Sequence, residues 1–236
     1  MIYVARYLFC IVTALFWSIV ACLVGLVDRS GEGVMWVGRQ WLRGCVWACG
    51  VRIDVEGLEH IDPAQPYVLM SNHQSAFDIA AIAISLPVSW RFVAKRELTR
   101  IPLFGWALAL GGHVLIDRQN RESAVASLQR AAERVSRGMT VIVFPEGTRS
   151  RSGSLGEFKS GGFHLALDAR VPILPATVSG SARITPTYSL RIESGRILIR
   201  YGQPIPTQGL EAGDRGVLKG RVRDSILEGF DPELQG

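Results

Sequence analysis

The sequence predicts an α/β domain, a mixed sheet flanked by helices, preceded by an N-terminal membrane-associated segment of two helices. Three observations point there. Leu8 to Val27 is a run of twenty residues without a charge. At Val51 the pattern changes to the alternation of a strand, with Val51, Ile53 and Val55 apolar. Beyond it, short apolar runs alternate with longer segments at helical spacing, the order expected of an α/β domain. The expected division is residues 1–50 for the anchoring helices and 51–236 for the α/β domain.

As a helix, Leu8 to Val27 spans about 30 Å, roughly one bilayer core. A signal peptide and a lipoprotein signal are the rivals, but the run is long for a signal peptide and stays apolar past Cys22, where a lipoprotein would turn polar. Arg6 and Arg29 flank it on both sides, so charge does not orient it. Val34 to Cys49 is a second apolar segment, with Arg39 and Arg43 four residues apart and Trp36, Trp41 and Trp47 among aliphatics. That pattern suits a helix in the membrane interface, and equally an amphipathic helix packed on the domain. Tyr67 to Met70 and Trp90 to Ala94 read as strands, with the breaker pair Ile101-Pro102 after them. Phe104 to Leu110 is apolar enough to line a groove or to form a buried helix. His113 to Asp117 reads as a strand, Ser123 to Arg137 as a helix closed by Gly138, and Thr140 to Phe144 as a buried strand. Phe158 to Asp168 looks helical. Pro172 and Pro175 confine the strand beginning at Val171 to an edge or a strand start. Arg191 to Tyr201 reads as a hairpin about Ser194-Gly195, and Asp214 to Leu227 as a closing helix.

The centre of the chain is Ser71-Asn72-His73-Gln74-Ser75-Ala76-Phe77-Asp78, between the strand ending at Met70 and the apolar run Ile79 to Ile84. On one regular helix, His73 and Asp78 would lie about 140° apart. They can pair only if the helix begins inside the motif, with His73 on the turn and Asp78 in the first helical turn. There the carboxylate is favoured by the helix dipole and can hold one imidazole nitrogen, leaving the other as a general base. Taken alone, the pattern also admits a helix-capping aspartate and a satisfied turn histidine. Pro145-Glu146-Gly147-Thr148-Arg149-Ser150 is a glycine-containing turn with an acid, a hydroxyl and a guanidinium. It suits an anion site, or a simple polar turn.

Apolar residues make up 48% of the chain, concentrated at its start, and the net charge is +5. The positive charge is almost wholly arginine, since Lys95, Lys159 and Lys219 are the only lysines. Arginine grips phosphate through a planar fork, which fits anionic lipid or a phosphorylated substrate. No basic-aromatic interleaving or zinc spacing supports a nucleic-acid partner. Cys10, Cys22, Cys45 and Cys49 form no Cys-x-x-Cys and read as small membrane-facing hydrophobes, neither metal ligands nor a disulfide frame.

Four pieces thus stand in order: Asn72-His73-(x4)-Asp78, Gly112 through Leu115-Ile116-Asp117-Arg118, Phe144-Pro145-Glu146-Gly147-Thr148-Arg149-Ser150, and Val171-Pro172-Ile173-Leu174-Pro175. Together they resemble the glycerolipid acyltransferases that carry the His-x4-Asp motif, over roughly residues 50 to 205. The resemblance implies transfer of an acyl group from acyl-CoA or acyl-carrier protein to the sn-2 hydroxyl of lysophosphatidic acid. It casts His73 as the base and Asp78 as its orienting partner, with no cofactor, no metal and no covalent intermediate. It makes Arg118, Glu146, Gly147, Thr148 and Arg149 the glycerol-phosphate site, with Lys95 an addition; Glu146 could alternatively brace the arginines. Membrane lipids are the implied surroundings, in a bacterial inner membrane with the catalytic domain on the cytoplasmic side. A different lysolipid head group, such as a lyso-ornithine lipid, is the enzymatic alternative. A non-catalytic lipid-binding protein is the other, against which the intact His73, Asp78 and Glu146 to Arg149 argue.

Overall fold

The computed structural model describes residues 2–117, 119–150, 153–186 and 189–234. Arg118, expected at the phosphate, lies outside them. The first helix, α1 (Ile2–Val27), has 26 residues, about 40 Å at about 1.5 Å per residue. It begins six residues ahead of the charge-free run, because Arg6 stays helical and its guanidinium donates to the Ile192 carbonyl at 3.1 Å. Leu8, Val12, Phe16 and Leu23 are each at least half exposed, whereas Ser18 and Ala21 are buried. By length and composition α1 can cross a membrane. After a turn in which Asp28 accepts the Ser30 and Gly33 amides at 2.9 and 2.6 Å, α2 (Glu32–Ala48) folds back along α1.

The sheet holds β1 (Val51–Glu56), β2 (Val68–Ser71), β3 (Trp90–Lys95), β4 (Val114–Ile116), β5 (Thr140–Val143), β6 (Ile173–Ser179) and β7 (Gly195–Tyr201), in the order β1-β7-β6-β2-β5-β3-β4. Every neighbouring pair is parallel except β6 with β7, so the sheet is mixed, as expected. Its helices are α3 (Ala76–Ser85), α4 (Phe104–Leu110), α5 (Arg121–Ser136), α6 (Gly161–Ala169), α7 (Ser181–Ile184) and α8 (Arg215–Glu228). Side chains alternate across a strand, and the two faces bury different helices. Leu69, Ile142 and Leu174 pack with Phe77, Ala81 and Ile82 of α3. Val68, Val141 and Ile173 pack with Val135 of α5, Phe163 of α6 and Val222 of α8.

This arrangement creates the site. β2 and β5 are adjacent and parallel, with Met70 opposite Val143, yet β2 leads to α3 on one face and β5 to α6 on the other. Their following loops therefore diverge from the same sheet edge, the place where ligands of open α/β sheets bind.

Two sequence expectations need correction, and two that were left open are decided. β6 (Ile173–Ser179) is interior, between β7 and β2, so of the two places expected for Pro172 and Pro175 it is the strand start that they occupy. Pro175 is tolerated there because it falls between the ladder pair Ala176 with Tyr201 and the isolated bridge of Ile173 with Ile205, while its carbonyl still accepts from Gly202 at 2.9 Å. Arg191 to Tyr201 is not a hairpin. Only Gly195 onward is strand; Glu193 bonds back to the Ile184 carbonyl and the Gly195 amide meets Gly50, so Ser194-Gly195 delivers the chain to β1 and makes no two-strand turn. Arg39 does not face lipid: it donates to the carbonyls of Ala83 (2.9 Å) and Leu86 (3.3 Å), groups that the end of α3 leaves open, and lies over the Trp90 ring. Cys45 and Cys49 are buried, Cys49 in the domain core with its Sγ 3.8 Å from Cys10 Sγ, so they are interior and not membrane-facing.

Candidate active site

Ser75 ends the extended run after β2 and caps α3. Its side chain accepts the Phe77 amide, and Asp78, at the third helical position, completes a capping box. The helix thus starts inside the motif, as the five-residue spacing requires. Asp78 is fully buried. Its Oδ2 accepts from His73 Nδ1 at 2.8 Å, from the Gln74 amide at 2.6 Å and from the Ser75 amide at 2.8 Å. Its Oδ1 is buried with no hydrogen-bond partner among the described residues. A carboxylate at Nδ1 fixes the proton there and leaves Nε2 as the acceptor nitrogen.

His73 is held at its backbone as well. Its amide donates to Glu146 Oε1 at 2.8 Å, while Glu146 Oε2 accepts the Gly156 amide at 2.9 Å, so one carboxylate ties the β2–α3 loop to two points of the β5–α6 loop. Burial pushes the Glu146 carboxyl up from its ordinary range, against the opposing pull of those two amides. The His73 carbonyl accepts the Ser150 amide at 2.7 Å. Asn72 continues the ladder with its side chain, donating to the Val178 carbonyl and accepting the Val178 amide, both at 2.8 Å. The His73 ring stacks on Phe144, with centroids 3.9 Å apart and planes 15° from parallel.

His73 opens onto a cavity of about 510 Å³. At the His73 end the wall includes Lys95, Gly147, Thr148 and Arg149; the remainder is largely apolar, from Trp17 and Ala21 of α1, Met35 and Trp41 of α2, and Phe104 and Leu108 of α4. The N-terminal helices therefore form one side of the cavity, and Phe104 to Leu110 is a helix that lines it. A second, polar depression of about 600 Å³ shares Lys95 and adds Arg96, Arg100, Asp117 and Gln119. Lys95 pairs with Glu97 at 3.2 Å.

The structure brings His73, Asp78, Lys95, Glu146, Gly147, Thr148 and Arg149 to this edge of the sheet. Within the Glu146 to Ser150 turn, the Gly147 amide is taken by the Phe144 carbonyl and the Ser150 amide by the His73 carbonyl. Gly147 has φ +73°, a conformation that favours glycine. Phe144 is the site residue the sequence reading passed over. It begins the Phe144 to Ser150 motif but reads there as the end of a buried strand; its position two residues beyond Ile142, on the same face, was the available signal. Among the described residues, no cluster of histidine, cysteine and acidic side chains could hold a metal.

The site is thus a carboxylate–imidazole pair at the switch point of a mixed sheet, beside a largely apolar cavity. An acyltransferase family model matches residues 52–179. The 1-acyl-sn-glycerol-3-phosphate acyltransferase alpha of Homo sapiens is 37% identical over 217 residues, 92% of this chain and 77% of its own. That of Ovis aries is equally similar, at 37% over 92% of this chain and 76% of its own. The 1-acyl-sn-glycerol-3-phosphate acyltransferase of Saccharomyces cerevisiae is 30% identical over 93% of this chain and 75% of its own. The crystal structure of the 1-acyl-sn-glycerophosphate acyltransferase PlsC from Thermotoga maritima shares the fold, with TM-score 0.80, 24% identity, and coverage of 96% of this chain and 92% of that one. This chain belongs to the acyltransferase family.

Proposed function

We propose that the enzyme transfers a fatty acyl group from acyl-CoA or acyl-carrier protein to the sn-2 hydroxyl of 1-acylglycerol 3-phosphate, forming phosphatidic acid. The observation that carries this reading is the His73–Asp78 pair at 2.8 Å at the mouth of an apolar cavity, in a chain similar over most of its length to 1-acyl-sn-glycerol-3-phosphate acyltransferases. His73 Nε2 takes the proton of the acceptor hydroxyl as its oxygen attacks the thioester carbonyl, and the imidazolium formed is stabilised by Asp78. The proton then passes to the departing thiolate. Hydroxyl and thioester react directly, with no acyl-enzyme. The apolar cavity takes an acyl chain, and Arg149, Lys95 and Arg118 take the phosphate, with Gly147 and Thr148 shaping that end. Glu146 serves the site by holding the His73 backbone, since both its oxygens are already bonded to amides. α1 holds the enzyme in the bilayer that contains acceptor and product, with the catalytic domain on the cytoplasmic side of a bacterial inner membrane.

Purified protein supplied with labelled acyl-CoA and a panel of lysolipids tests the acceptor class. Label entering phosphatidic acid well ahead of every other product is the expected result. Preference for a lysolipid without a phosphate monoester, such as lyso-ornithine lipid, would sink the acceptor assignment.

A further inference from the structure

We propose that Phe144 is a positioning residue for His73, fixing the plane of the imidazole as Asp78 fixes one of its nitrogens; this rests on His73 being the base. A single hydrogen bond at Nδ1 leaves the ring free to tilt about that bond, and a tilt swings Nε2 away from the acceptor hydroxyl. The Phe144 face, 3.9 Å away and 15° from parallel, removes that freedom. Phe144 is itself held. Phe92 lies parallel to it, 6.1 Å between centroids and 12° between planes. His113 backs Phe92 at 6.2 Å and 28°, while its Nδ1 accepts the Phe92 amide at 3.0 Å. Trp90 meets the edge of Phe92 at 4.9 Å. The sheet explains the alignment: Phe92 is paired with Ile142, and Phe144, two residues on, projects to the face that α3 covers.

The row of rings thus braces His73 from the β4 edge inward. It also favours the charged state of the reaction, because an imidazolium gains more from an aromatic face than a neutral imidazole does. Phe144 therefore acts more strongly in the transition state than in the ground state, and its loss falls on kcat more than on KM.

The test is steady-state kinetics of the full-length protein with labelled acyl-CoA and lysophosphatidic acid, comparing Phe144→Leu, Phe144→Met and Phe144→Tyr, with Leu also placed in an Asp78→Asn background. Leu and Met should lower kcat about 10–100-fold, the size of loss that small misplacement of a reacting group produces. Acceptor KM should change by less than about two-fold, and Tyr should restore most of kcat. With Asp78→Asn the ring is already misheld, so Leu should cost markedly less than in the parent protein. Met keeps the side-chain bulk, so it carries the comparison if Leu does not fold. Unchanged kcat in Met, a rise confined to KM, or a full multiplicative loss over Asp78→Asn would each make Phe144 only cavity wall. If Phe144→Met is fully active while His73→Ala is dead, positioning fails and the base stands; an active His73→Ala removes the base itself.

Discussion

Asp78 both caps α3 and holds His73 through one oxygen, so its substitution separates fold from chemistry only if the shape is kept. Asp78→Asn keeps the shape but reverses the preferred tautomer, and kcat should fall by several orders of magnitude; a variant within three-fold of the parent in the labelled-donor assay would contradict the orienting role. Glu146 accepts two backbone amides. Glu146→Gln puts an amide donor against one of them, and leaving a buried group unpaired costs about 1–3 kcal/mol. Thermal melting should drop and kcat should fall with it; a pure rise in acceptor KM would return Glu146 to the phosphate. Arg149→Ala should do the opposite, raising acceptor KM more than donor KM by the equivalent of about 1.5–3 kcal/mol for one charge-assisted contact. At this scale the sequence was informative where spacing and helix geometry met, as at His73 and Asp78. It was silent on Glu146's partners, because His73 and Gly156 lie 73 and 10 residues away and only the juxtaposed loops bring them in.

Among the elements, α2 carries the plainest lesson. The Arg39 and Arg43 spacing marked a helix, but nothing local said whether Arg39 faced headgroups or a neighbouring helix end. The open carbonyls of Ala83 and Leu86 decided it. Arg39→Ala should therefore destabilise the whole protein by about 1.5–3 kcal/mol, read by thermal melting in detergent, whereas a lipid-facing arginine would leave the melt unchanged. The residue just before β4, His113, is a titrating group. Burial, then the charges of Arg91 and Arg134, hold the His113 imidazole down to about 4, against an ordinary 6.5. Because the folded value is the lower, its contribution is complete above pH 6.5 and is lost between 6.5 and about 4, where the unfolded chain binds a proton that the folded one excludes. The loss is of the order of 3 kcal/mol. His113→Gln, which keeps an acceptor for the Phe92 amide, should flatten that part of the stability-versus-pH curve; an unaltered slope would show that His113 is not its source. Strand pairing was the other thing local pattern could not give. Pro175 is excluded from a regular ladder, yet it sits inside the sheet because the neighbouring chain breaks its own ladder at Gly202.

In the whole molecule, the α/β class and the apolar first helix were legible because composition and periodicity report them directly. The cavity was not, since its walls come from α1, α2, α4 and the loops after β2 and β5, far apart in sequence. Removing residues 1–50 would strip that wall and uncover the helix-end carbonyls that Arg39 satisfies, so the remainder should aggregate instead of giving a soluble, active domain. Size-exclusion chromatography reads the outcome, and a monodisperse active fragment would contradict it. Intact protein should stay with membranes through a carbonate wash, because burying α1 side chains in lipid is worth about 0.8 kcal/mol per methylene and carbonate does not weaken it; recovery in the soluble fraction would end the anchor reading. The central claim is that His73 is the base of an acyl transfer to the sn-2 oxygen, and one measurement meets it directly: the rate at which purified protein and its His73→Ala variant, matched for melting temperature, convert labelled acyl-CoA and lysophosphatidic acid to phosphatidic acid labelled at sn-2. Label at sn-2 with the parent and a rate about 10²–10⁴-fold lower with the variant is the predicted result; equal rates, or label at any other position, would contradict it.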